Sequence, residues 1–598
     1  MIKVSVIIPT YNNKEDKLNR IVESLNKQTL SSNEFEVLFI DEGSDDFSAF
    51  SRLKEKTREY THYQVHRISP SGWGSRPRNK GTKVAEGEYV FFCDDDDTIF
   101  PQALERMYNF AKDNDLDVVN PKVIRTKGWG WGWEQFKENV VGAETIGVQA
   151  MGPMTVPKLY RRTFIEQHNL YFYEGDKVWW EDVMFSCLVF SKKPRIGILA
   201  DYPVYHWREQ NHSAGFGKDL EYKWEQINNV ASSFKENLEG EDLDYMITHW
   251  YRTRVLGALR GNFHKKSKDT QQIEFDKAME WKDRFVDSRI VERLDTRHKI
   301  IDYLLGKGRL DFVRKFSQSK AETTARSYLR NLAFEEGSLI ITTDATVTYD
   351  EEKIVNLNGS PNEVQIDCEE EIKSVLPSTL LYMNELDSKG NQYSPSIKGR
   401  FTRTTWEVQD VIDSKFHFDQ HDSYFNVRGE LTFRLTLDDF IQDYDDAHQP
   451  WDLSTKFNYM DLGAHRAIAS KQNFKKAAII NGNTYVVYKN KSELVSIDLN
   501  SIVHNFLAVA TLNLDAIQNR EGLILIPIEN VYAYGQSEVS YIASIYNDKT
   551  EAFIDSKASI IVDGGSAYLQ IDNVNNLKGN CKIEIALGEK SHAFEVTI

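Results

Sequence analysis

Apolar positions along this 598-residue chain follow three successive rhythms. In the first, short continuous apolar runs alternate with stretches spaced at three and four residues. Val4-Ser5-Val6-Ile7-Ile8-Pro9 and Phe35-Glu36-Val37-Leu38-Phe39-Ile40 read as buried strands. Tyr63–Ile68, Tyr89–Cys93 and Leu116–Val119 read likewise, the last closed by Asn120-Pro121. Leu18, Ile21, Val22 and Leu25 share one helical face, and a second helix opens at Arg76-Pro77-Arg78-Asn79-Lys80-Gly81. Strands alternating with helices predict an α/β domain with a largely parallel sheet. The second rhythm, over 217–332, is helical throughout and ends in a run from Leu310 to Leu332. The third begins near Gly337, where β-rich runs such as Ser338–Thr342, Glu430–Leu435, Thr484–Tyr488 and Gly522–Ile526 lie between Asn, Asp and Gly turns. It predicts two β-sandwich-like modules. The expected domains are 1–216 (α/β), 217–332 (a helical linker), 333–475 and 476–598 (β modules).

Polar residues gather where the strands end. Pro9-Thr10-Tyr11, Asp41 and Asp94–Asp97 all fall at carboxyl ends of strands, the edge on which parallel sheets bind ligands. Four adjacent carboxylates repel one another, and a divalent cation is the natural compensation. Their hard oxygens suit Mg²⁺ or Mn²⁺, shared with water and substrate phosphates. The alternative is a solvated acidic turn. A second acidic pair, Glu181-Asp182, opens an apolar helical run containing Met184, Phe185, Leu188 and Val189. Helix-dipole stabilisation alone accounts for charge there. In Lys127-Gly128-Trp129-Gly130-Trp131-Gly132-Trp133 the tryptophans alternate, so an extended chain puts all three on one face. That face suits stacking against a sugar; inward packing of a loop is the competing reading.

Composition narrows the class. The formal net charge is −17, which argues against nucleic-acid binding. Residues 251–330 nevertheless hold 20 Lys/Arg against 11 Asp/Glu. That basic stretch is either a docking surface for a polyanion or an acidic membrane face, or ordinary helix surface. Cys93, Cys187, Cys368 and Cys581 are widely spaced and form no CxxC pair, which fits a reducing compartment. With neither a signal peptide nor a membrane-length apolar run, the expectation is a cytoplasmic protein able to dock on the inner membrane face.

The order SVIIPTYNN, FEVLFIDEGSDD, RPRNKG and AEGEYVFFCDDDD resembles the family 2 glycosyltransferases of GT-A fold, over roughly residues 1–215. The resemblance implies a nucleotide-diphospho-sugar donor and a divalent metal, Mn²⁺ or Mg²⁺. It implies that Pro9, Tyr11 and Asp41 hold the uracil, that Asp94 and Asp95 lie on the nucleotide-sugar side, and that Arg78 faces the nucleotide. Asp96 becomes the metal ligand, joined by His212. Asp182 becomes the general base, Glu181 orients hydroxyls, and Arg208 neutralises the leaving diphosphate. The family's usual second Asp is Glu42 here, and the QxxRW motif of processive synthases is absent. A transferase domain followed by helices and β modules, with PKLYRRTFIEQHNLYF and WWEDVMF, is similar to the wall teichoic acid β-N-acetylglucosaminyltransferases. That likeness implies UDP-N-acetylglucosamine as donor, a poly(ribitol phosphate) acceptor and a homotrimer. Capsular or other surface-glycan repeats, or a glycerol-phosphate polymer, are alternative acceptors. A glycan-binding assembly protein with an inactive transferase domain is the alternative of a different class.

Overall fold

The computed structural model describes residues 1–598 apart from 71, 126–134, 176–177, 209–218, 320–322, 350–352, 438–448, 461, 521, 550, 573–578, 588–589 and 598. The Trp129/Trp131/Trp133 segment and His212 lie outside the described residues. Two compact units emerge: 1–321 with 362–389, and 322–361 with 390–598.

The first unit begins β1 (Val4–Thr10), α1 (Glu15–Asn26), β2 (Phe35–Asp41), α2 (Phe47–Thr57), β3 (Tyr63–Arg67), α3 (Ser75–Val84) and β4 (Tyr89–Phe92). It continues with β5 (Thr98–Ile99), α4 (Ala103–Asp113), β6 (Val118–Arg125), β7 (Val140–Val141), β8 (Leu159–Arg161), α5 (Arg162–Gln167), α6 (Glu181–Phe190) and β9 (Ile196–Trp207). The strands form one sheet in the order β3-β2-β1-β4-β8-β6-β9-β5, with β7 on β9. β1 to β4 run parallel, whereas β8 lies antiparallel between β4 and β6. Leu18, Ile21, Val22 and Leu25 of α1 are buried against this sheet, the face their spacing predicts. Strand β6 does not stop at Pro121. It runs on to Arg125 through a register shift at Pro121/Lys122, because a bulge tolerates the missing N–H that a regular ladder would not.

Gly81 explains one letter of the RPRNKG motif. A Cβ there would lie 2.3 Å from Cγ2 of Ile7, so α3 packs on β1 only because position 81 has no side chain.

Helices α7 (Leu220–Asn237) and α8 (Gly240–Trp250) follow, then a π-helical turn, Tyr251–Val255, and α9 (Leu256–Ala258). α10 (Lys268–Phe285), α11 (Ser288–Glu292), α12 (Thr296–Gly306) and α13 (Leu310–Ser319) complete the layer. Its core is built on Trp224, Trp250, Tyr251 and Trp281, and Ile366, Ile372 and Leu376 from the 362–389 segment join it. Several cations of the helical layer serve this packing. Lys223 and Lys266 meet buried Glu274 at 3.2 and 2.5 Å, and Lys282 meets Asp302 at 2.8 Å. The helical run expected from Leu310 to Leu332 ends at Ser319, and Thr323–Glu335 is a strand. Its register explains the error: Ala325, Ser327, Leu332 and other inward residues pair with Ser338–Tyr349 in an antiparallel hairpin. Short apolar runs satisfy either period.

In the second unit the described strands form three mostly antiparallel sheets. Thr323–Glu335, Ser338–Tyr349, Val411–Gln420 and Tyr424–Thr436 belong to the first. Gln392–Gly399, Trp451–Tyr459, Lys475–Ile480, Asn483–Lys489 and Val495–Leu499 belong to the second. Ser537–Asn547, Ala552–Asp563 and Asn580–Leu587 belong to the third. The expected boundary at 475 therefore cuts through a sheet. Tyr485 and Ile497 face Leu435 of the first sheet, whereas Val486 and Tyr488 share a core with Ile526 and Ile560 of the third. A middle sheet buried on both faces reads as continuous apolar strands, and such strands carry no sign of which module owns them.

Gly81→Ala should lower stability by about 1–3 kcal/mol, the usual cost of overpacking. Thermal unfolding of the full chain checks this, and an unchanged transition would contradict the close approach of α3 to β1.

Candidate active site

The carboxyl edge of the sheet gathers most of the residues singled out by the sequence. At the end of β2, buried Asp41 accepts hydrogen bonds from Ser44 Oγ (2.5 Å) and Ser44 N (3.2 Å), and Arg67 Nε lies 3.5 Å away. Gly43, Ser44, Asp45, Arg67, Ile68, Ser69 and Pro70 line an open cavity of about 540 Å³ beside it. The β1–α1 loop is tied to the same place: Asn12 N donates to Ser44 Oγ at 2.8 Å, and Tyr11 OH donates to Asp45. The Tyr11 ring itself is exposed.

The four aspartates after β4 point four ways. Asp94 accepts from Arg78 at 2.7 Å, Asp95 from Asn13 Nδ2 at 2.5 Å, and Asp96 faces Lys17 Nζ at 3.4 Å. Asp97 turns inward, accepting from Tyr205 OH (2.6 Å) and from the backbone N–H of Arg208 (2.7 Å). Burial pushes Asp95 up to about 6 and Asp97 well above the carboxylate range. Burial, then the charge of Asp94, raises Asp96.

Arg78 joins this loop to the second acidic pair. Its guanidinium is buried, with one nitrogen 2.7 Å from Asp94 Oδ1 and the other 2.7 Å from Glu181 Oε1. Trp73 Nε1 donates to the other Glu181 oxygen at 2.8 Å. The neighbouring Asn79 makes a two-way clasp with the backbone of Phe172, at 2.8 Å each way, so α3 fixes the chain that leads toward α6. At the start of α6, Trp180 adopts a left-handed conformation (φ +59°) and sets off the helix. Asp182 is half-buried, with Oδ1 accepting from Val183 N at 2.9 Å. Burial first, then the charge of Glu181, lifts its carboxyl to about 7.

Residues 5–187 match the model of glycosyl transferase family 2. This stretch is a family 2 glycosyltransferase domain. A Staphylococcus aureus protein, poly(ribitol-phosphate) beta-N-acetylglucosaminyltransferase TarP, is 28% identical over 48% of this chain and 88% of its own. Poly(ribitol-phosphate) beta-glucosyltransferase of Bacillus spizizenii is 31% identical, over 34% of this chain and 32% of its own. A solved structure of S. aureus TarS 1–349 in complex with UDP-GlcNAc covers 59% of this chain and 98% of its own, at 23% identity and TM-score 0.46.

Within the glycosyltransferase domain, Asp41, Tyr11, Asp94, Asp95 and Asp96 sit along one edge, and Arg78 links them to Glu181. Arg208 contributes its backbone N–H to Asp97, while its Nε lies 3.4 Å from Thr98 Oγ1. His206, the neighbour of that strand end, is buried and pushed down to about 3 by desolvation, a neutral core ring. Sequence reasoning missed Asn13, Lys17, Trp73 and Tyr205, which hold the acidic groups from four different elements.

The acidic loop fits a divalent cation by chemistry. Asp94 and Asp96 are partly exposed hard oxygens, the donor type that a small divalent cation takes. Among the described residues no third acidic, histidine or cysteine side chain joins them.

Arg78→Ala would leave Glu181 buried with its main cation gone. A loss on the order of 3 kcal/mol follows for a broken buried pair. A fall in thermal midpoint together with weakened UDP binding is expected; unchanged values for both would show that the bridge holds nothing.

Proposed function

We propose that this protein is an inverting, metal-dependent glycosyltransferase that moves a sugar from a UDP-sugar to hydroxyls of a teichoic-acid polymer. Poly(ribitol phosphate) is the first choice of acceptor, and N-acetylglucosamine the first choice of sugar. The observation that carries the reading is the bridge Asp94–Arg78–Glu181, which sets an acidic loop and a half-buried carboxylate, Asp182, on one edge of the domain. The printed activities of TarP and of the B. spizizenii enzyme support the acceptor, and that of TarP supports the sugar.

In this mechanism Pro9, Tyr11 and Asp41 hold the uracil, with Asp41 kept rigid by Ser44 and Arg67. Asp96 and Asp94 would hold Mn²⁺ or Mg²⁺, and such a cation offsets the charge that develops on the departing diphosphate. Asp182 takes the proton of the acceptor hydroxyl as the new bond to the anomeric carbon forms and the bond to the diphosphate breaks. Attack from the opposite face inverts the centre, so an α-linked donor yields a β-linked product. Glu181, locked between Trp73 and Arg78, orients sugar hydroxyls and keeps Asp182 company as a like charge. The basic helical stretch would suit a polyanionic acceptor.

UDP release from a panel of UDP-sugars, with poly(ribitol phosphate) and poly(glycerol phosphate) as acceptors, tests the assignment. Turnover of UDP-N-acetylglucosamine with the ribitol polymer is expected; UDP binding with no turnover on either polymer would move the acceptor to another glycan. Asp182→Asn should lower kcat by about 10²–10⁴-fold while UDP affinity stays. Loss of nucleotide affinity in that variant would remove Asp182 from the role of base.

The base works only when ionised. With its carboxyl raised to about 7, the wild-type rate should fall as pH drops through neutrality. A profile that stays flat well into the acid range would contradict the environment described for Asp182.

A further inference from the structure

The glycosyltransferase domain buries one lysine that the reaction as drawn does not use. Lys158 stands immediately before β8 and is 0% exposed. Its Nζ donates to Pro153 O at 2.7 Å and to Thr155 O at 2.9 Å. An ammonium carries three N–H donors, and among the described residues the third has no acceptor. No carboxylate lies within ion-pair distance of it among the described residues. Two residues on, Tyr160 shares the same face of the strand, is buried, and packs its ring on Phe185 of α6 at 5.5 Å. That face of β8 therefore abuts the first turns of α6, where Asp182 stands.

An isolated ammonium in such surroundings costs several kcal/mol unless a negative charge shares its low-dielectric site. Lys158 is pushed down to about 7 by burial, and the carboxylate acting against that shift is Asp182. The influence is mutual, since Lys158 favours the charged form of Asp182, as Arg78 does. The remaining groups that face Asp182 are Glu181 on its own helix, Tyr160 on β8, and Arg254 in the π-helical turn. Arg254 is spread over the rings of Trp180 and Trp250 at 5.1 and 5.3 Å. Arg78 already serves Asp94 and Glu181, which leaves Lys158 as the buried cation without a carboxylate bonded to it.

We propose that Lys158 is a positioning residue for sugar transfer, a buried amine held by two backbone carbonyls whose protonated form favours the ionised Asp182 carboxylate. The proposal rests on Asp182 being the base. Lys158 touches no substrate; it acts through Asp182 alone. Without it, Asp182 is left among Glu181, Tyr160, an arginine shared with Asp94 and Glu181, and an arginine spread over two tryptophans, and protonates at higher pH.

Three variants test this in the full-length protein: Lys158→Met, Lys158→Gln and Lys158→Arg, each read by UDP release across pH. Lys158→Gln keeps an N–H donor for the two carbonyls but carries no charge, and Lys158→Arg keeps the charge. In Met and Gln the acid limb of kcat should move up by about one pH unit, an approximately tenfold loss just below neutrality that closes on the alkaline side. KM for the donor should stay. In Arg the limb should remain at its wild-type place. A purely structural tether predicts instead a loss of equal size at every pH with a lowered thermal midpoint, and that result overturns the proposal, as does an unmoved limb in the Gln variant. If Met does not fold, Gln decides. Asp182→Asn, assayed in parallel, separates the two claims. A dead Asp182→Asn with an unmoved limb in Lys158→Gln sinks Lys158 and leaves the base, whereas an active Asp182→Asn sinks the base itself.

Discussion

The structure of the candidate site depends on one buried guanidinium. Arg78 holds Asp94 with one nitrogen and Glu181 with the other, so a single planar fork fixes the distance between the end of β4 and the start of α6. A lysine could not do this, because a point charge cannot present two fixed donors in opposite directions. In stability terms a buried pair of this kind is close to break-even, since desolvating the ions costs about as much as their attraction returns. What the bridge contributes is geometry. Strand and helix come from different parts of the chain, and hydrophobic packing alone lets them slide by fractions of an ångström. The ion bridge does not.

The acidic loop shows the same division of labour. Four consecutive aspartates can coexist only because each is answered from a different direction: Arg78, Asn13, Lys17, and Tyr205 with the backbone of Arg208. Asp97, the most deeply placed, anchors the loop to β9 and leaves Asp94 and Asp96 at the surface. The residue that looks like one more ligand in the sequence is thereby a structural pin.

Much of this was legible in the sequence. The strands of the α/β domain, the helical face of α1 and the convergence of Tyr11, Asp41 and Asp94–Asp97 on one edge follow from periodicity and from where ligands bind in parallel sheets. Pro121 misled because a bulge hides the missing N–H. The strand after α13 misled because a short apolar run satisfies both periods, and only pairing with Ser338–Tyr349 decides. The boundary at 475 misled because a sheet buried on both faces belongs equally to its two neighbours. The partners of the acids escaped for a different reason. Asn13, Lys17, Trp73 and Tyr205 are ordinary residues in sequence, and only the fold brings them to carboxylates far away along the chain.

The environment of Asp182 is a compromise between two opposed demands. Burial and the adjacent Glu181 raise its carboxyl, and a weaker acid is a stronger base. Raised further, the same group would be protonated at neutral pH and could not serve as the base proposed above. Cations must therefore stand near enough to keep it charged but must not bond to it, because a tight salt bridge would occupy the oxygen that accepts the proton and lower the basicity again. Arg78 meets that condition by spending both hydrogen-bonding directions on Asp94 and Glu181. Lys158 meets it by giving two of its three donors to backbone carbonyls. In each case the cation's hydrogen bonds go elsewhere, and on the proposed reading only its field acts on Asp182.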